Sequence, residues 1–330
     1  MSKIEKLLRK YFRINNENEI PNYVLSSYKK AQFDEERSLE YLWKVHNNLA
    51  KDINLQELKP GTSFIDLKRK IASRLYKRCN LCENKCNVNR EENIGKCKVK
   101  EAQIASGFLH FGEESFLVPS YTVFFSGCTF KCVFCQNWDI SQKIKGLYIK
   151  PKQMVKFIKK NYNKGAKNVN WVGGDPTPNI PYILDVLNLC DIHLPQIWNS
   201  NMYCSKKAMF LLDGIIDLYL TDFKYGNNKC AKRLSKVNKY MEIVTRNHKF
   251  AYQNGDLLIR HLVLPNHLEC CTKPILEWIS KNVPNAVVNI MGQYHPEYRA
   301  NKYENVSRKI YHWELKEAEK YAKDLDLYLI

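Results

Sequence analysis

No stretch of this chain approaches the roughly 20 apolar residues that a helix needs to cross a bilayer. The opening MSKIEKLLRKYF also lacks the apolar core and small-residue cleavage site of a secretory signal. Both absences lead us to expect a cytoplasmic protein with no membrane partner. Glycine and proline are scarce, 13 and 12 in 330 residues, which excludes collagen-like and low-complexity chains. Acidic residues are short too: 34 Asp and Glu face 52 Lys and Arg, a formal charge of +18. Hydrophobic residues make up 45% of the chain, enough to build a core, so disorder is excluded. Clustered Lys and Arg release counterions from phosphates, so the excess of base suits an RNA partner. Here the lysines are spread along the whole chain beside abundant Asn and Ile, which reads as compositional bias rather than a patch.

From about residue 120, short β-rich apolar runs alternate with helical stretches. The runs are Tyr121–Ser126, Asn168–Val172, Pro195–Asn199, Ile215–Thr221, Leu257–Leu264 and Ala286–Met291. Helices are expected near 152–162, 179–190, 205–212, 230–253, 271–281 and 307–324. Six strands each followed by a helix argue for parallel βα units with right-handed crossovers. The order fits an α/β fold, either a partial (β/α)6 barrel or a doubly wound open sheet. In both, ligand-binding residues sit where strands end. Upstream, Leu39, Leu42, Trp43 and His46 share one helical face. We therefore divide the chain into a helical extension (1–78), a cysteine-rich knot with two short strands around 103–110 (79–119), and an α/β unit with a closing helix (120–330).

Cysteine is not scarce. Seven of the twelve lie between residues 79 and 135, in two clusters. In a reducing compartment such spacing argues for metal or cluster binding over disulfides. Cys190, Cys204, Cys230, Cys270 and Cys271 show no ligand spacing and read as small hydrophobes. Directly after the first strand of the α/β unit comes Cys128-x3-Cys132-x2-Cys135. Three thiolates on one tight loop hold three irons of a cubane and leave the fourth iron open. A structural zinc site would want four ligands, the fourth borrowed from a distance.

This motif, with aromatic Phe134 before its last cysteine, resembles the signature of the radical S-adenosylmethionine (SAM) superfamily over about 120–295. Phrases such as Cys135-Gln-Asn-Trp-Asp-Ile-Ser141, Asp222-Phe-Lys-Tyr225 and Arg260-His-Leu-Val-Leu-Pro-Asn266 resemble enzymes similar to pyruvate formate-lyase activating enzyme, in particular the PflX-like branch. The resemblance implies a radical SAM type of partial barrel, with a [4Fe-4S] cluster on Cys128, Cys132 and Cys135. In such enzymes SAM chelates the open iron, and an electron from a donor such as a ferredoxin or flavodoxin splits it into methionine and a 5′-deoxyadenosyl radical. Phe134 would lie by the adenine, and Gly173-Gly174-Asp175 would receive the SAM amine. Asn201, Asp222, Lys224, Arg260 and His295 would face SAM's charged end and the incoming peptide. Asn199 stands where the activating enzymes show an aspartate, which implies no monovalent-cation site beside SAM.

Cys79-x2-Cys82-x3-Cys86-x10-Cys97 offers four thiolates, with Gly95 permitting a close approach. Four ligands close a site, as in structural zinc or an auxiliary [4Fe-4S] cluster. The expected activity is hydrogen abstraction from a peptide or protein, as by a glycyl-radical activase. A radical SAM enzyme modifying RNA is the second reading, and a non-enzymatic metal-binding interaction module the third.

Overall fold

The computed structural model describes residues 2–51, 56 and 58–330. All six runs form strands, joined by one more at each edge. The sheet comprises β1 (Ile104–His110), β2 (Ser120–Phe125), β3 (Val169–Gly173), β4 (Gln196–Ser200), β5 (Leu218–Asp222), β6 (Asp256–Leu262), β7 (Val287–Met291) and β8 (Tyr328–Leu329). They lie side by side in sequence order. β1 runs antiparallel to β2 and every later pair is parallel, with Tyr121 beside Val169, Ile197 beside Leu218, and Leu258 beside Val287. β1 and β8 each pair on one side only, so the curved sheet is an open, partial barrel.

Two departures from the sequence reading have local causes. The two short strands expected around 103–110 are one, paired along its length with β2. The single helix expected over 230–253 is two, Asn228–Ser235 and Tyr240–Asn254. Between them Lys236 and Lys239 adopt left-handed backbone angles (φ 60° and 50°), which no glycine or proline announces. No helix among the described residues is long and apolar enough to cross a membrane.

Strands buried on both faces carry near-continuous apolar runs. The outward residues pack on the surrounding helices, and the inward ones form a separate core inside the barrel. Its floor is Leu8, Tyr11, Leu117, Ile197, Leu218, Leu220, Leu258 and Val287. Leu8 joins the short N-terminal helices Lys3–Leu7 and Arg9–Asn15 and Tyr11 lies in the second, so the pair closes the barrel at the amino ends of its strands. Asp256 at the start of β6 accepts a hydrogen bond from the Tyr11 amide (2.7 Å), and Asp217 just before β5 accepts one from the Asn22 amide (2.8 Å). Tyr11 is 1% exposed and its hydroxyl accepts from Asn168 (3.0 Å). Truncating a buried aromatic to alanine costs about 3–5 kcal/mol, so Tyr11→Ala should lower urea stability by that amount. A loss under 1 kcal/mol would mean that the plug is dispensable.

Further along the N-terminal region, helix Phe64–Lys77 docks on helix Ile180–Asn188, where Arg69 pairs with Asp185 (2.7 Å).

Candidate active site

β2 leads directly into the loop bearing Cys128, Cys132 and Cys135. Backbone bonds hold this loop on two sides. Lys131 and Val133 amides donate to the carbonyls of Ser235 and Leu234 (3.0 and 2.9 Å), and the Arg299 amide donates to the Val133 carbonyl (2.8 Å). The three cysteines line one cavity of about 410 Å³ at the carboxyl ends of the strands. Burial pushes the Cys132 thiol up to about 12 and the Cys128 and Cys135 thiols upward as well. Bare thiols here stay protonated, and metal coordination is what stabilises thiolates in such a place. Polar groups already face the sulfurs: Ser235 Oγ lies 2.9 Å from Cys132 Sγ, Ser141 Oγ lies 3.1 Å from Cys135 Sγ, and the Phe130 amide donates to Cys128 Sγ (3.3 Å).

Of the other residues singled out in the sequence, Phe134, Gly173, Gly174, Asn201, Asp222, Lys224 and Arg260 line the same cavity, as does Asn199. Gly173 has φ +126°, and a Cβ there would fall 2.2 Å from the Phe125 backbone; one on Gly174 would fall 2.0 Å from the Gly127 carbonyl oxygen. Only glycine lets β3 end this close to β2. Lys224 Nζ donates to Asp222 Oδ2 (2.7 Å), and although burial opposes it, the Asp222 charge holds the ammonium's pKa above its ordinary value. The buried Phe134 ring packs edge-on against Tyr225 and Tyr294.

Three placements differ from the sequence reading. Asp175 is not among the cavity-lining residues. It is 2% exposed, and its carboxylate accepts from Ser200 Oγ (2.9 Å) and Thr129 Oγ1 (3.1 Å). Burial raises its pKa to about 6 against those hydrogen bonds. Its role is to tie the ends of β3 and β4 to the cysteine loop, and the glycine backbones are left to face the cavity. His295 is also outside the lining, beside Glu297 on the surface (3.4 Å). Arg260 lines the cavity but its guanidinium is already engaged by Glu113 and Glu114.

These two glutamates, on the loop between β1 and β2, were not singled out in the sequence. Their side chains are 8% and 5% exposed. Glu114 also accepts from Asn289 (2.8 Å) and Glu113 from Asn170 (3.3 Å), so the cluster spans the barrel from β3 to β7. Burial pushes the Glu114 carboxyl up, but the hydrogen bonds and charge of Arg260 prevail and hold it below the ordinary range.

The second cysteine group is gathered as well. Cys79, Cys82, Cys86 and Cys97 line one small cavity. A Cβ on Gly95 would stand 3.2 Å from Cys86 Sγ and 3.3 Å from Cys97 Sγ, a cradle that the glycine leaves free. Arg90, 1% exposed, points its guanidinium at Cys97 Sγ (3.4 Å) and Cys79 Sγ (3.6 Å). The Lys131 ammonium is buried without a hydrogen-bond partner near Cys97, Cys128 and Cys132, and burial lowers its pKa. A buried cation needs an anion. Thiolates ligating metal in both groups would supply it, so the residues present fit both sites.

Of the five remaining cysteines, Cys190 and Cys204 are buried as small hydrophobes. Cys230, Cys270 and Cys271 are brought together, which their spacing in the chain did not indicate.

An open barrel of parallel strands with three cysteines on the loop after its first parallel strand is the arrangement expected of a radical SAM domain, and the chain carries a radical SAM superfamily domain, matched over residues 122–279. It is 44% identical over 338 residues to the Methanocaldococcus jannaschii Uncharacterized protein MJ0674, an alignment that covers 98% of this chain and 99% of that protein. Among solved structures it is similar to methylornithine synthase (PylB), with TM-score 0.47 and 14% identity over 97% of this chain and 78% of that one. It is also similar to Streptococcus suis SuiB bound to precursor peptide SuiA, with TM-score 0.46 and 15% identity over 61% of this chain. The chain spans 46% of the SuiB chain's length. A domain of this superfamily implies an enzyme that uses a [4Fe-4S] cluster and SAM.

Proposed function

We propose that the enzyme abstracts hydrogen from a peptide or protein, in the manner of a glycyl-radical activase. The observation that carries this reading is the charge of the cavity. Despite the net +18 of the chain, its two cations, Lys224 and Arg260, are already matched by Asp222, Glu113 and, beside them, Glu114. A polyanion finds no free countercharge there, whereas the exposed amides Gln136, Asn137 and Gln293 around the mouth suit a peptide backbone. SAM and a cluster on Cys128, Cys132 and Cys135 would supply the hydrogen-abstracting radical. The chain's own part is to seat SAM against Gly173 and Gly174, to keep water out with Phe134, and to hold the Asp222–Lys224 pair at the charged end.

The test follows deuterium. Reduced enzyme given SAM is offered protein from an extract grown on α-deuterated glycine, or deuterated RNA. Deuterium should reach 5′-deoxyadenosine from the protein pool alone. Transfer from RNA, with tRNA binding that weakens steeply with salt, would favour the RNA reading and overturn this one.

For the second cysteine group we propose an auxiliary iron–sulfur cluster rather than zinc. In a tetrahedral zinc site with Zn–S near 2.3 Å the sulfurs are about 3.8 Å apart. Among the described residues, neither this group nor Cys128, Cys132 and Cys135 brings three ligand atoms within 4.8 Å of one another. Replacing Cys82 and Cys86 together by serine should remove one cluster's worth of iron and lower the melting temperature, since a loop-rich knot buries little apolar surface of its own. Arg90→Met should weaken metal retention by about 10- to 100-fold, as for other outer-shell partners. An unchanged iron count in the double variant would reject the site, and equimolar zinc lost instead of iron would reject the assignment.

A further inference from the structure

Cys230, Cys270 and Cys271 lie far apart in sequence from both cysteine clusters and take no part in the function proposed above. Their three sulfurs nevertheless lie within 4.8 Å of one another, and no other group of three possible metal ligands does so among the described residues. Cys230 Sγ and Cys270 Sγ are 3.9 Å apart, as are Cys270 Sγ and Cys271 Sγ. These separations match the edge of a zinc–thiolate tetrahedron, about 3.8 Å. They are also nearly twice the S–S bond length of about 2.05 Å. Three thiols cannot pair among themselves, so a disulfide would leave one unaccounted for.

The surroundings are those of a ligand set. Residues 268–272 form a π-turn in which the Thr272 amide donates to the His267 carbonyl (3.1 Å), a widening of the helix that often accompanies functional sites. It brings the sulfurs of adjacent residues 270 and 271 close to Cys230. Asn227 Nδ2 stands 3.4 Å from Cys230 Sγ and 3.8 Å from Cys271 Sγ, an amide donor facing sulfur. The His267 ring is beside Cys230. Its Nδ1 lies 2.7 Å from the Pro265 carbonyl oxygen, so the proton sits on Nδ1, and its Nε2 accepts from Arg233 (3.1 Å).

We infer that Cys230, Cys270 and Cys271 form a mononuclear site for a thiophilic divalent ion, zinc above all, beyond the carboxyl ends of β5 and β6. Three thiolates fill three corners of a tetrahedron around Zn²⁺ and leave the fourth to a non-protein ligand such as water. Its place in the fold gives it a task. Cys230 lies in the first turn of helix Asn228–Ser235, and that helix ends on Ser235, whose hydroxyl meets Cys132 Sγ and whose carbonyl receives the Lys131 amide. An ion on Cys230 fixes the helix that backs the loop of Cys128, Cys132 and Cys135. The three cysteines are positioning residues for that loop.

The test uses the full chain, first reconstituted with iron and sulfide to fill the two cysteine clusters, and then titrated anaerobically with Co²⁺ as the probe. Unmodified protein should take up one further equivalent, with intense thiolate-to-cobalt absorption and the visible bands of a four-coordinate ion. Zn²⁺ should displace it. Cys270→Ser, at an exposed position where folding is not at stake, should abolish that equivalent, and so should Cys230→Ser. His267→Gln should keep that equivalent, since its ring nitrogens are not among the clustered ligand atoms. Identical Co²⁺ spectra for the unmodified protein and Cys270→Ser would overturn the site. So would a Cys230–Cys270 disulfide found by peptide mapping of anaerobically purified protein.

Discussion

Alanine at Cys128, Cys132 and Cys135 together will reduce the formation of 5′-deoxyadenosine from SAM to the background of the reductant alone. The protein is reconstituted anaerobically with iron and sulfide and reduced with dithionite, and both product and bound iron are measured. Each cysteine supplies one iron ligand, and no spare thiol lines the cavity to replace it. Iron should fall by one cluster, while the iron held by Cys79, Cys82, Cys86 and Cys97 remains. Product formation surviving in the triple variant would remove the basis for assigning the cluster to this loop.

The second large effect is on stability. Arg260→Leu will leave Glu113 and Glu114 buried side by side without their cation. Breaking a buried ion pair from one side costs about 3–5 kcal/mol, and urea unfolding at pH 7.5 should show a loss of this size. The sign of its pH dependence follows from the carboxyls. In the unmodified protein Arg260 holds Glu114 below the ordinary glutamate range, so this contribution is present above the unfolded value and is lost as pH falls through the folded one. Without Arg260, burial is the larger influence on Glu114 and raises its carboxyl. The variant is then penalised for ionising it, and the penalty lifts as pH falls toward 5. The gap between variant and parent should therefore narrow in acid. A gap that is constant from pH 7.5 to 5 would mean that water, rather than Arg260, solvates these glutamates.

Much of the barrel was readable because its information is local. Each strand is a short run of apolar and β-branched residues, and the cysteine loop follows the first parallel strand without interruption. The strand-end residues were read for the same reason, since a parallel βα unit delivers its carboxyl end to the site whatever the helix outside it does. What escaped the sequence depends on distant partners. Glu113 and Glu114 sit on a connecting loop with no periodicity, and only the curvature of the sheet brings them to Arg260. The cysteines of the π-turn lie some forty residues beyond Cys230 and have no spacing rule to connect them. Asp175 was misplaced for a different reason. The motif gave the right residues, but the turn at Gly173 and Gly174 directs the carboxylate away from the cavity toward Thr129 and Ser200.

Among the described residues, the plug closes the barrel at the amino ends of its strands, and the cavity with the thiols lies at the carboxyl ends, where Gln136, Asn137 and Gln293 line it. On the function proposed above, SAM seated against Gly173 and Gly174 would lie behind a peptide resting on those amides. The consequence is one of sequence in time: SAM would load first, and its fragments would leave only after the peptide, so product release is expected to follow departure of the larger partner.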